Sequence, residues 1–228
     1  MAQSSHQSSL MNSFSESDRS RIAGAVKEAE AKTSGEIVPY VVEASDVYEE
    51  AEWKGAAVLG VAALLTFAIL YTVTPIWLPF DIVGLAALMI VASGIGALLV
   101  RHVAWLKRLL AGKRVVAKRV HQRAIEAFVA EEVFSTKERT GILIFLSLLE
   151  HQVYVLGDAG INAKVRQTDW QDVVHTIVDA VKKGKTVDGL VSAIKQCGTL
   201  LQREGVQIRP DDTDELPDYL RVGDAPER

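Results

Sequence analysis

Sulfur chemistry is almost absent from this chain, which carries a single cysteine, Cys197. One cysteine makes no internal disulfide and no cysteine cage for zinc, so nothing here depends on an oxidising compartment. Its plain reading is a small buried hydrophobe. Positive charge is also short overall. A net charge of -4 and a pI near 5.8 argue against a nucleic-acid partner, which needs a basic face. The first 20 residues, MAQSSHQSSLMNSFSESDRS, lack any apolar run and so lack a visible signal peptide. They read as a disordered leader. Zincin, P-loop and dinucleotide fingerprints are missing. Ser147 lies in a buried-looking strand without the Gly-x-Ser-x-Gly setting of a nucleophile.

The strongest absence is of charge between Gly55 and Val100, where Asp81 is the one charged residue in 46. Within it, Gly55–Thr74 supplies 20 uncharged residues and Ile82–Val100 supplies 19. A bilayer core needs about 20 apolar residues as helix. Backbone polar groups in lipid must be bonded within their own segment, so both runs are predicted as transmembrane helices. Pro75 and Pro79 stop them, and Trp77 reads as an interface anchor. The link is short, so the helices are expected to be antiparallel. Small residues at Gly55, Gly60, Gly84, Ala92, Ser93, Gly94 and Gly96 suit close helix packing. No ionisable residue sits mid-span, which disfavours a pump, channel or transporter subunit.

Acids are absent from Arg101–Arg123, which holds eight lysines and arginines. The hairpin loop holds no Lys or Arg. The positive-inside rule then places both termini in the cytoplasm of a bacterial inner (plasma) membrane, as a multi-pass protein. Val103–Phe134 is expected to be one basic helix. Trp105, Leu106, Leu109 and Leu110 give it an apolar side that suits an anionic leaflet. The same stretch also reads as an extension of the second span whose far half packs on the soluble domain.

The flanks alternate helix and strand. Ser15–Thr33 is predicted as a helix, with Ser15 and Asp18 as a capping box and Gly35 closing it. Glu36–Val42 (EIVPYVV) reads as a strand, which Pro39 would place at a sheet edge or bulge. Thr140–Ser147 reads as a buried central strand, and Gln152–Leu156 as its hairpin partner. Asp169 is expected to cap a helix over Trp170–Lys183, with another from Thr186 to about Glu204. From Arg209 the tail holds seven acids against three arginines and reads as loose.

The stretches TSGEIVPYVV, ERTGILIFLSLLEHQVYVLGDAGI and TDWQDVVHTIVDAVKKGKTVDGLVSAI together resemble the TPM domain family, over about Phe14–Gly205. That resemblance implies an α/β fold, a TPM-like α/β/α sandwich around a small sheet, here interrupted by a two-helix transmembrane hairpin. Family members include acid phosphatases, calcium binders and accessory proteins of membrane complexes. This chain departs from the pattern in two ways. Many members keep the domain outside the cytoplasm behind a signal peptide. Many also carry Gly-x-Gly-x-Glu where this chain has Gly157, Asp158, Ala159, Gly160 and Ile161.

The expected organisation is a leader (1–14), the first part of the α/β domain (15–54) and the hairpin (55–100, spans 55–74 and 82–100). A basic juxtamembrane helix (101–135), the second domain part (136–208) and an acidic tail (209–228) follow. Candidate metal ligands are Asp158, Asn162 and Glu36, three hard oxygen donors suited to calcium. Asp158 and Asn162 are placed at the C-terminal end of a strand, the usual location of α/β sites, and Glu36 is the third donor that could join them. The same Gly-Asp-Ala-Gly stretch also reads as a turn needing Gly and Asp for its backbone. Asp169 and Asp172 read as helix-start acids, and His175 with Asp179 as a surface pair. The function expected is a membrane accessory or interaction protein, with a calcium-linked, membrane-anchored acid phosphatase as the alternative. Its expected partners are the bilayer, anionic lipids along 101–123 and a membrane protein.

Overall fold

Four strands in the order β3-β2-β1-β4 organise the α/β part. The computed structural model describes residues 10–73, 82–208, 215–224 and 226. The expected link with Pro75, Trp77, Pro79 and Asp81 lies outside them, as do most of the leader and residues 209–214. The chain divides into two compact units, 1–46 with 117–228 and 47–116.

The first unit begins with α1 (Glu16–Glu30). Ser15 Oγ accepts from the Asp18 N–H at 3.1 Å and the Asp18 carboxylate accepts from the Ser15 N–H, so the expected capping box forms. Gly35 does not close the helix. It lets the chain pass tightly against Leu201 instead. Strand β1 (Glu36–Val42) follows, and β2 (Gly141–Ser147) lies parallel to it, Glu36 opposite Gly141 and Val42 opposite Ser147. Every residue of both strands is buried, which their unbroken apolar runs require. Strand β3 (Gln152–Gly157) returns antiparallel to β2 through a turn in which His151 has φ +52°.

Two expectations fail at β1. It is not an edge strand, because β4 (Arg221–Val222) pairs parallel to its other side. The pairing covers only Tyr40 and Val41, so Pro39 stands just before it and interrupts nothing. Residues 215–224 of the acidic tail are accordingly docked rather than loose. Leu216 and Leu220 are buried, and Glu215 accepts from the Lys137 N–H at 3.0 Å.

Alternation along the strands gives the sheet two apolar faces. Ile37, Val41, Ile142, Ile144, Leu146, Val153 and Val155 share a core with α1, α7 (Gln171–Lys182) and α8 (Thr186–Arg203). The opposite face carries Tyr40 stacked on Phe145, and Tyr154, whose hydroxyl donates to the Ala117 carbonyl of α5 (Lys113–Ala130). His121 of α5 meets the Tyr154 ring edge-on at 5.2 Å. Between β3 and α7 lie the short α6 (Ala159–Asn162) and a 3-10 turn (Gln167–Trp170). Asp169 sits inside that turn and accepts from the Arg166 N–H, so it does not cap α7 as expected.

The second unit contains α2 (Glu49–Val73) and α3 (Ile82–His102). At 1.5 Å per residue they measure about 37 and 31 Å, against about 30 Å of bilayer hydrocarbon. Both are long and apolar enough to cross a membrane. They run antiparallel: Gly55 lies against Gly96 and Val100, and Gly60 against Ser93. No side chain larger than hydrogen fits at Gly55 or Gly96, which fixes that approach. Gly94 takes no part and faces open space. The expected single basic helix is broken. Val103 is extended and Gly112 has φ +87°, leaving α4 (Ala104–Ala111) as a separate segment. A φ in that region favours glycine, which is why the break falls there.

Candidate functional site

Asp158 follows β3 and N-caps α6 by accepting from the Ala159 N–H at 2.7 Å. Its carboxylate is buried and gripped by the Arg139 guanidinium, through Nε and through Nη2 at 3.0 Å. Arg139 has φ +58° and lies over the Phe134 ring. The ion pair raises the Arg139 pKa further. Gly160 donates to the Arg139 carbonyl at 2.8 Å, so close to it that a side chain at 160 would strike the backbone of Glu138 and Arg139. Asn162 donates to the Gly157 carbonyl at 2.5 Å. These residues lock the turn.

The three candidate ligands are not gathered into one hand. Glu36 and Asp158 flank opposite sides of Gly141 on β2, since Glu36 is its register partner and the Asp158 N–H donates to its carbonyl. Glu36 Oε2 accepts from the Leu216 N–H at 3.2 Å. Their position also differs from expectation. Because β3 is antiparallel, its C-terminal end lies where the parallel strands β1 and β2 begin, opposite the edge at which α/β folds usually bind ligands.

The same edge holds a carboxyl group that sequence reasoning missed. Glu30, at the end of α1, accepts from the Ile37 N–H at 2.6 Å. Burial, with nearby Glu36 and Asp218 adding to it, pushes its pKa up to about 9. Asp218 Oδ1 is itself buried and has no hydrogen-bond partner among the described residues. The upward shift favours the neutral carboxyl, so Glu30 meets the start of β1 uncharged beside Glu36 and Asp218. One signal was available: Ile22, Val26 and Glu30 share a helical stripe that is otherwise apolar.

At the C-terminal ends of β1 and β2 a second network forms. Ser45 and Ser147 hydroxyls lie 2.8 Å apart, Ser147 donates to Glu150 Oε2, and the Ser45 N–H donates to Glu150 Oε1 at 2.9 Å. All three residues are buried, Ser147 completely. A hydroxyl bonded to a carboxylate has nucleophile chemistry in principle, but here it has no solvent face from which to meet a substrate. The network ties the two strand ends together.

Between α7 and α8 an open groove of about 640 Å³ is lined by Asp172, His175, Asp179, Lys195 and Arg203 among others. Asp169, at its mouth, is held below the usual carboxylate range by Arg166. Asp179 is met by Lys182 at 3.9 Å. Burial pushes the Cys197 thiol up to about 12, consistent with an inert core residue.

The chain is similar to the BA42 protein from the psychrophilic bacterium Bizionia argentinensis sp. nov., solved by NMR. The likeness covers 92% of this chain and 95% of that one, at 20% identity and a TM-score of 0.55. At that identity the likeness is one of fold. No curated protein matches. Residues 110–200 match the model of the TPM domain, which takes in α5, β2, β3, α7 and most of α8. This chain carries a TPM domain.

Proposed function

We propose that this is an integral membrane protein in which α2 and α3 cross the inner membrane as a hairpin and hold a TPM domain in the cytoplasm, where it serves as an accessory or interaction module. One observation carries the reading. In each of α2 and α3, 6% of the most apolar window is buried. Val58, Leu65, Ile69, Ile90 and Leu98 all face outward. A core helix pair of a water-soluble protein would have those side chains inside. Eight cations and no acid over Arg101–Arg123 support a cytoplasmic placement of both termini.

An accessory role is the better fit because the candidate chemical groups are already engaged. Asp158 is neutralised by Arg139, and Ser147 is enclosed. A calcium-linked phosphatase would need Asp158 to exchange its guanidinium for a metal. Carbonate washing of membranes, with a fluorescent reporter fused after Arg228 that matures only in the cytoplasm, tests the main reading. The protein should stay in the pellet and fluoresce. Release into the wash, or a dark full-length fusion, would overturn it. Calcium-dependent phosphate release that disappears in Asp158→Asn would establish the hydrolase instead.

A further inference from the structure

Helix α4 is built inside out for a protein surrounded by water. Trp105 and Leu109 stand one helical turn apart on the same side, 61% and 65% exposed. Lys107 is turned inward, its side chain 15% exposed and 3.9 Å from Glu52 of α2. Ala111, the smallest side chain of the last turn, is buried. A surface helix in water presents charge and hides tryptophan; this one does the reverse.

Its place in the unit explains the inversion. The chain leaves α3 at His102, bends at the extended Val103, and is released again at Gly112. Glycines 55 and 96 bring the start of α2 beside the end of α3, and Lys54 Nζ donates to the Leu110 carbonyl of α4 at 2.9 Å. So α4 lies against the first turns of α2, at the end of the hairpin where both apolar helices meet charged sequence. Trp53 of α2 is 76% exposed at this same end. Two outward tryptophans at the limit of an apolar hairpin have the composition of an interfacial aromatic belt. Around them stand the exposed Arg101, Lys113 and Arg114. The acids of this end are Glu49, Glu50 and Glu52 on α2, and Glu52 is occupied by Lys107.

We propose that α4 is an in-plane membrane helix: Trp105 and Leu109 enter the headgroup–acyl boundary of the leaflet, while Arg101, Lys113 and Arg114 engage anionic phospholipid headgroups. This rests on the hairpin crossing the bilayer and names the lipid class its cytoplasmic end selects. Continuity with the apolar hairpin and the excess of cations single out lipid as the occupant.

The test uses the full-length protein in nanodiscs, spin-labelled one site at a time. Cys197 is fully buried, so a new surface cysteine is labelled selectively. Accessibility to oxygen, which concentrates in lipid, is compared with that to a water-soluble nickel chelate at Leu109→Cys, Leu65→Cys and Lys32→Cys. With phosphatidylglycerol present, Leu109 should resemble the mid-hairpin Leu65 more than the water-facing Lys32. In pure phosphatidylcholine its oxygen-to-nickel ratio should fall severalfold, and high salt or the Lys113→Glu, Arg114→Glu pair should produce the same fall. A Leu109 label that behaves like Lys32 in both lipids, or that ignores phosphatidylglycerol, overturns the proposal. So does a label shielded from both relaxants, which would mean that protein covers this face. If Leu65 itself is nickel-accessible, it is the membrane reading that fails.

Discussion

The two units use the same aliphatic residues in opposite directions. In 1–46 with 117–228, valine, isoleucine and leucine point into a shared core on one sheet face and under α5 on the other. In 47–116 most of those on α2 and α3 point outward, and the two helices meet closely at Gly55, Gly60, Ser93 and Gly96. Both units are rich in apolar residues, and in the sequence only the uncharged runs 55–74 and 82–100 set the second apart. The direction of burial separates them again, since it turns the same side chains inward in one unit and outward along α2 and α3 in the other.

The widest separation should come from paired truncations. Phe145→Ala, in the middle of fully buried β2, should cost about 3–5 kcal/mol and could unfold the α/β unit outright. Leu65→Ala, on an outward face of α2, should leave its stability within about 0.5 kcal/mol. Denaturant melts in mild detergent, followed by circular dichroism, would show this, and similar losses at both sites would break the comparison.

Next in size is a pH effect confined to the α/β unit. Glu30 has its pKa raised from 4.5 to about 9 in the folded protein. Between those values the folded state keeps a proton that the unfolded chain gives up, so the contribution of Glu30 to stability is fully present below about pH 4.5 and is lost as pH rises toward 9. Glu30→Gln should flatten that slope and stabilise the protein at pH 8 by on the order of 2 kcal/mol. A melting temperature with the same pH slope in wild type and variant would show that Glu30 does not hold that proton.

Arg139→Ala should cost about 1–3 kcal/mol by leaving the buried Asp158 carboxylate without its partner. It also frees the oxygens a metal would need. Melts with calcium and with chelator should coincide in the wild type, and a calcium-dependent rise there would revive the metal reading of Asp158 and Asn162. Smallest of all, Ser15→Ala should remove about 1 kcal/mol through the lost capping box, measurable as a slight shift of the same transition.

Much of the fold was legible because its signals are local. The β-branched run at Glu36–Val42 forms a strand with those very limits, and the capping box at Ser15 is confined to four residues. The two apolar helices announce themselves by length and lack of charge. What escaped depends on partners far away in sequence. A two-residue strand at Arg221–Val222 exists only because β1 offers a free side. The influence of Asp218 on Glu30 follows from that docking. The break at Gly112 was hidden by basic sequence that continues without change on both sides. Asp158 does follow the C-terminal end of a strand as expected, but that strand runs antiparallel, so its edge of the sheet was misassigned. Arg139, which explains its burial, has no recognisable signal in a short loop.

The central strand pair imposes an order on synthesis. Strand β1 is complete at Val42, but its neighbour β2 starts at Gly141, and residues 43–140 must be translated first. At typical elongation rates that wait is on the order of ten seconds. During it, a seven-residue segment with two sticky edges has no native partner, while the apolar hairpin emerges behind it. Pro39 withholds one backbone donor from the waiting strand, so for all of that interval the segment has one hydrogen bond fewer to offer a stray partner.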